Sequence, residues 1–262
     1  MPLIHLTDLT DPRLEVYRNL KDTNLTRWKG LFVAEGEKLV RRLLDSDYEP
    51  VSILAGETYV DRLRDILPPD LPVYVIPTRA IDDLVGFQFH RGLLACGRRK
   101  SPLVLDDILP PENTPWTCVV CPDVTDPENL GAIIRISAAF GVHAVLLGPR
   151  CGDPFSRRIL RVSMGTTFKL PIVQSADLPS DLKRLQAAGV QLAATILDPL
   201  ASPLHDYRRP RQLALMFGNE GDGLPPEIIA TADVKITIPM QNGTDSLNVS
   251  VAAGVFLYHC TR

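Results

Sequence analysis

Apolar residues along this chain gather in short runs of strand length, set between segments whose apolar positions recur with helical spacing. In the first hundred residues Arg13 to Asn24 and Glu35 to Asp47 read as helices. Pro50 to Leu54, Val73 to Ile76 and Gly92 to Cys96 read as short strands. This mixture predicts a small α/β sandwich. From Trp116 onward the pattern is regular, with strand-length runs at Trp116–Cys121, Ala144–Leu147, Leu170–Val173, Val190–Ile196, Leu213–Phe217 and Val234–Ile238. Strands alternating with helices predict a parallel sheet covered on both faces. Between the two regions, 102–115 is rich in Pro, Asp and Asn and reads as a linker. The predicted organisation is a domain over 1–101, that linker, and a second domain over 116–262.

Ligands of open parallel sheets bind beyond the carboxyl ends of the strands. The most unusual polar residues lie just past three such ends, at 123–135, 218–224 and 239–250. In the first stretch, Asp126 or Thr125 before Pro127 starts a helix, with the cap accepting from free amides. Leu130, Ile133 and Ile134 then face inward. Arg135 lies one turn past Gly131, where the bare backbone leaves room for a phosphate or ribose. The plainer reading is a surface Arg paired with Glu128, seven residues back on the same stripe.

The second stretch holds Gly218, Gly221 and Gly223 directly after an apolar run. Such a loop offers backbone amides and carbonyls to a ligand edge, although a tight surface turn needs no more. Glu220 is the residue a mere turn does not require. The third stretch leads from Ile238-Pro-Met into a segment apolar nearly all round, from Val249 to Leu257, with Ser246 as a natural cap and Asn248 at its mouth. A helix apolar on every side is buried in a core or a subunit interface.

Composition narrows the partners. With 45% apolar and 23% charged residues the chain is of ordinary globular type, which excludes wholesale disorder. The segment Met1 to His5 lacks a basic stretch followed by an apolar one. No run approaches the ~18 apolar residues of a membrane span, so the cytoplasm is the expected setting and no membrane partner is expected. A net charge of −3 gives no global attraction to nucleic acid. Any such role falls to local clusters at Arg98-Arg99-Lys100, Arg157-Arg158 with Arg161, and Arg208-Arg209 with Arg211, although such clusters are more often solvated faces. The five cysteines, 96, 118, 121, 151 and 260, make no disulfide framework. Cys118 and Cys121 lie in a strand, where residues three apart point to opposite faces, so core packing is expected and no metal site. None of the five histidines falls in the three stretches.

Taken together, in this order and spacing, the stretches resemble the motifs of the SpoU (TrmH-like) RNA methyltransferases of the SPOUT superfamily. The matching residues are Asn129-x-Gly131 with Arg135, Gly218-Asn-Glu220-Gly221 with Gly223-Leu224, and Ile238-Pro239-Met240 followed by Ser246-Leu247-Asn248-Val249-Ser250. Ser163-Met164-Gly165 followed by Pro171 resembles a further family segment. Phe32-Val-Ala-Glu35-Gly36 and His90-Arg91-Gly92 resemble the family's L30e-like substrate-binding domain. Arg91 stands where members more often carry Gln.

The resemblance implies an α/β chain with a deep trefoil knot in the C-terminal domain, where periodicity alone suggests none. It implies a homodimer through that domain, S-adenosylmethionine as cofactor, and RNA as substrate, with ribosomal RNA ahead of transfer RNA and both left open. It assigns Arg135, Asn129, Glu220, Ser246 and Asn248 to catalysis, and Thr195, Gly218, Asn219, Gly223, Ile238, Met240 and Leu247 to the cofactor. Arg27, Glu35, Arg91 and Arg157 become candidates for RNA contact. Methyl transfer from a sulfonium requires no metal but an aligned, partly deprotonated ribose oxygen. An arginine base is physically awkward because guanidinium pKa values exceed ~12, so Arg135 reads better as a phosphate and ribose clamp. The competing reading is a non-catalytic RNA-binding or ribosome-assembly factor that keeps the fold. Another nucleotide cofactor is disfavoured by the absence of G-x-G-x-x-G and of a P-loop. Base rather than ribose methylation stays open within the family.

Overall fold

The computed structural model describes residues 3–20, 29–63, 65–89 and 92–261. In chain order the first part contains β1 (Leu3–His5), β2 (Leu31–Glu35), α1 (Glu37–Leu44), β3 (Pro50–Gly56), β4 (Val73–Ile76), α2 (Ile81–Val85) and β5 (Leu93–Arg98). The second contains β6 (Trp116–Cys121), α3 (Pro127–Ala139), β7 (Ala144–Leu147), α4 (Arg157–Val162), β8 (Ile172–Gln174), α5 (Leu178–Ala187), β9 (Gln191–Thr195), β10 (Ser202–Pro203), β11 (Gln212–Met216), α6 (Pro226–Ile229), β12 (Val234–Thr237) and α7 (Val249–Cys260). The chain forms two units, Met1–Ser101 with Phe155–Phe168, and Pro102–Pro154 with Lys169–Arg262.

The first unit is built on a five-stranded mixed sheet in the order β1-β4-β3-β5-β2, with β5 antiparallel to both neighbours. Strand side chains alternate between faces. Ile53, Ala55, Leu93 and Ala95 therefore join Leu39 and Leu43 of α1 on one side, while Leu54, Leu94 and Cys96 join Leu14, Tyr17 and Leu84 on the other. Burying the Tyr17 ring requires its hydroxyl to be satisfied. It lies 2.7 Å from Ser52 Oγ, and the Cys96 amide donates to it at 3.2 Å.

Several elements here differ from the sequence pattern. The helix expected over Arg13–Asn24 is a 3-10 helix, Pro12–Tyr17, because Asp11 caps it, Arg18 returns to extended backbone and Asn19 turns left-handed at φ 49°. Residues 21–24 lie outside the described residues. The helix expected from Glu35 starts at Glu37, since Glu35 ends β2 and Gly36, at φ 89°, breaks the strand. The edge strands β1 and β2 carry no long alternating run and escape the pattern.

The contribution of residues 155–168 is the larger departure from the expected 116–262 domain. Leu160 and Phe168 are buried in the first unit's core, and the Phe32, Tyr48, Phe155 and Phe168 rings stack with Phe32 and Phe155 centroids 5.2 Å apart. Arg157 donates to the buried Glu35 carboxylate at 2.6 Å, Arg161 lies 3.9 Å from its other oxygen, and the Arg157 guanidinium sits 4.2 Å from the Phe87 ring centre. The basic triplet is engaged on the same unit. Arg98 pairs with Glu49, Arg99 covers Phe155 and Lys100 covers Tyr48.

The second unit is a seven-stranded sheet, β10-β12-β9-β11-β6-β7-β8, in which every neighbouring pair is parallel. Cys118, Val120, Leu146, Leu192, Ala194, Ala214 and Met216 pack one face against Leu178, Leu182 and Leu185 of α5 and Ile228 of α6. Residues 102–115, expected as a linker, instead send Leu105 and Ile108 into this core, a burial contributing about 1.5–3 kcal/mol apiece. Helices α3 and α7 pack on each other, with Leu130, Ile133, Ile134, Ala253, Phe256 and Leu257 buried. Helix α7 is nevertheless not buried all round, for Val251, Val255 and Tyr258 remain exposed.

Candidate active site

The carboxyl ends of β9, β11 and β12 open into one cleft of about 770 Å³ within the second unit. Thr195 to Pro199 line it beyond β9, Phe217 to Leu224 beyond β11, Ile238 and Met240 beyond β12, and Ser246 to Val249 where α7 begins. Parallel strands end there together, so the loops that follow them converge.

The glycine loop after β11 is closed on itself. Asn219 and Gly223 exchange backbone hydrogen bonds at 2.9 and 3.1 Å, and Gly223 takes φ 70°. A Cβ on Gly218 would stand 2.2 Å from the carbonyl carbon of Gly223, so no other residue fits this crossing of main chains. The Asn219 side chain pins the loop from both ends. Its nitrogen donates to the Asp123 carbonyl at 2.9 Å and its oxygen accepts from the Gly221 amide at 2.8 Å. Asp123 in turn pairs with Arg150 at 2.6 Å.

Helix α3 starts as its sequence predicts, with Asp126 accepting from the Glu128 amide and Pro127 in the first turn. Helix α7 does not. Its cap is Asn248 rather than Ser246, because Asn248 Oδ1 accepts from the Ser250 and Val251 amides at 2.9 and 3.4 Å. The rest of the Asn248 amide is also used. Its nitrogen donates to Asn129 Oδ1 at 2.9 Å, and Asn129 Nδ2 donates to Glu220 Oε1 at 2.8 Å. Residues from all three polar stretches thus meet in one chain of hydrogen bonds at the cleft.

Of the twelve residues expected in catalysis or cofactor binding, Thr195, Gly218, Asn219, Glu220, Gly223, Ile238, Met240, Ser246, Leu247 and Asn248 line the cleft, and Asn129 reaches it through Glu220. Arg135 does not line it and lies exposed on α3. Glu35 and Arg157 bind each other in the first unit, while Arg27 and Arg91 lie outside the described residues. Sequence reasoning missed Leu197, Asp198, Phe217, Lys235 and Phe256 among the lining residues. Asp198 alone offered a signal, an acid just past a strand end. Cys151, also unassigned, is buried in the second unit, accepting from the Val124 amide and donating to the Cys121 carbonyl. Burial pushes the Cys151 thiol up to about 11 and that of Cys121 well above its usual value.

The sequence model of the SpoU rRNA methylase family matches residues 117–258, which hold every residue of the cleft. The chain belongs to the SpoU rRNA methylase family. It is 35% identical to an uncharacterized tRNA/rRNA methyltransferase of Mycobacterium tuberculosis, over 97% of this chain and 90% of that one. It is 37% identical, over 87% of each, to the 23S rRNA (guanosine(2553)-2'-O)-methyltransferase of Bacillus subtilis. Among solved structures it resembles an AdoMet-bound rRNA methyltransferase of Sinorhizobium meliloti, with a TM-score of 0.83 and 29% identity over 98% of this chain and 97% of that one.

As a SpoU methylase the chain is an RNA methyltransferase dependent on S-adenosylmethionine. The cleft suits that cofactor. Ile196, Leu197, Ile238, Met240 and Leu247 form apolar walls, the closed glycine loop offers main-chain polar groups, and the Asp198 and Asp222 carboxylates add negative charge, a lining compatible with a flat base and a cationic sulfur and ammonium.

Proposed function

We propose that this chain methylates a ribose 2′-hydroxyl of RNA, ribosomal rather than transfer RNA, with S-adenosylmethionine bound in the cleft of the second unit. The observation that carries the reading is the hydrogen-bonded chain Asn248–Asn129–Glu220 at the mouth of the closed glycine loop. A binding factor has no need of a carboxylate anchored in this way. The B. subtilis relative, named a ribose 2'-O-methyltransferase of 23S rRNA, supports the acceptor and the RNA class.

In this reading Thr195, Gly218, Asn219, Gly223, Ile238, Met240 and Leu247 hold the cofactor, largely through main-chain atoms. When bound, it supplies an activated methyl on a positive sulfur with a neutral leaving group. Asn129, Asn248 and Ser246 orient Glu220 and the reacting ribose, and Arg135 clamps the phosphate and ribose. The cofactor site lies in a trefoil knot formed by the chain around the glycine loop and the loop after β12, as in the wider SPOUT superfamily. The first unit, Met1–Ser101 with Phe155–Phe168, is an L30e-like RNA-binding domain, and the second unit is the methyltransferase domain. The enzyme acts as a homodimer through the C-terminal domain, and the exposed Val251, Val255 and Tyr258 of α7 support that interface. It works without a metal, in the cytoplasm, where its substrate is found.

The test is incubation of the purified chain with methyl-labelled S-adenosylmethionine and total RNA from a strain lacking it, followed by digestion to nucleosides. Label in a 2′-O-methylnucleoside is expected. Label in a methylated base would overturn the ribose assignment, and cofactor binding without transfer would favour the non-catalytic factor.

A further inference from the structure

The direction of every hydrogen bond around Glu220 is set by a helix end. The Ser250 and Val251 amides of α7 can only donate, so Asn248 must turn its oxygen to them. Its nitrogen then faces Asn129, which must answer with its own oxygen, and Asn129 is left to present its nitrogen to Glu220 Oε1. Reversing either amide would set donor against donor or acceptor against acceptor. Glu220 Oε1 is therefore held as an acceptor. The other oxygen, Oε2, makes no hydrogen bond among the described residues, and Glu220 lines the cleft.

We propose that Glu220 Oε2 is the general base that takes the proton of the acceptor ribose hydroxyl, with Asn129 and Asn248 as the positioning residues that hold the carboxylate and aim its free oxygen. The inference rests on the methyltransferase reading above. The O2′–H bond breaks towards Oε2, the oxygen lone pair forms the new O–CH3 bond, and the electron pair of the broken C–S bond stays on sulfur as a neutral thioether. The glutamic acid then returns its proton to water. An arginine would have to lose a proton it holds beyond pH ~12, and Arg135 lies outside the cleft.

Other groups near Glu220 serve the role less well. Asp222 on the same loop has no tie to the amide chain, and Asp198 gives one oxygen to the Leu200 amide of its own turn. Lys235 in the cleft is a cation, Asp123 is paired with Arg150, and Cys121 and Cys151 are held as thiols by burial.

The deciding variant is Glu220→Gln, which retains an oxygen for Asn129 while replacing the free oxygen with an amide. Cofactor affinity by calorimetry is expected to stay within about twofold. Single-turnover methyl transfer is expected to fall by about a hundredfold or more, with loss of the acid limb of the pH–rate profile. Glu220→Asp, which keeps a carboxylate, is expected to retain that limb and part of the rate. Turnover by Glu220→Gln within about tenfold of wild type, or a rate loss matched by lost cofactor affinity, would overturn the assignment. If the wild-type chain transfers no methyl to RNA, the functional reading itself fails. An active wild type with an equally active Gln variant removes the base alone.

Discussion

Asn129 and Glu220 stand 91 positions apart in the chain, yet an amide nitrogen of the first meets a carboxylate oxygen of the second at 2.8 Å. A hydrogen bond to a charged group is worth about 1.5–3 kcal/mol. Asn129→Ala is therefore expected to lower turnover roughly ten- to a hundredfold, since each 1.36 kcal/mol is a factor of ten. Cofactor affinity should change less. Single-turnover assays beside calorimetry test this, and an unchanged rate would remove Asn129 from the mechanism.

Arg135 is exposed on α3 and outside the cleft, so the cofactor has no direct need of it. Arg135→Ala should abolish methyl transfer while binding of S-adenosylmethionine persists. Weakened cofactor binding with intact turnover of the bound enzyme would refute the clamp role.

Gly218→Ala would drive a methyl group into main chain, 2.3 Å from the Leu224 amide, where no side chain is free to yield. The reciprocal bonds between Asn219 and Gly223 should break, and cofactor affinity should fall at least about tenfold, since a mutation that distorts binding geometry by 1.4 kcal/mol costs that factor. Titration calorimetry decides the matter, and wild-type affinity would mean that the loop is softer than its packing indicates.

Arg157→Ala in the first unit removes the guanidinium that donates to the buried Glu35 carboxylate at 2.6 Å. Removing one partner of a buried ion pair costs about 3 kcal/mol, so the melting temperature should drop clearly. Neutralising the carboxylate as well, in Glu35→Gln/Arg157→Ala, should restore part of the loss. A single variant as stable as wild type would show that the pair contributes nothing.

The five cysteines are all free and buried, and burial raises Cys96 and Cys118 from the ordinary 9.0 to about 12 and Cys260 to about 11. Native protein should therefore react negligibly with a thiol reagent at pH 8, and all five should react in denaturant. The sign for stability follows. Below pH 9 the thiols are protonated in both states and the fold loses nothing. As pH rises from about 9 towards 12 the unfolded chain releases protons that the native one keeps, so stability falls. A denaturation midpoint that holds constant from pH 8 to 11 would contradict this.

Much of this protein is written locally. The apolar runs of the second unit place β6 and β7 correctly and the other long strands to within a residue or two, because a parallel strand buried on both faces must be apolar throughout. Asp126 with Pro127 marks the start of α3, and the motif residues of the glycine loop mark one wall of the cleft. What the sequence leaves open depends on contacts between distant segments. Asn248 rather than Ser246 caps α7, a choice made by which side chain also meets Asn129, 119 positions away. Residues 155–168 belong to the first unit because their rings complete a cluster with Phe32 and Tyr48, and residues 102–115 are core rather than linker because Leu105 and Ile108 find a hydrophobic face. Periodicity records which residues must leave water, whereas their partners are selected only when the chain closes and every buried donor, acceptor and charge must be matched at once.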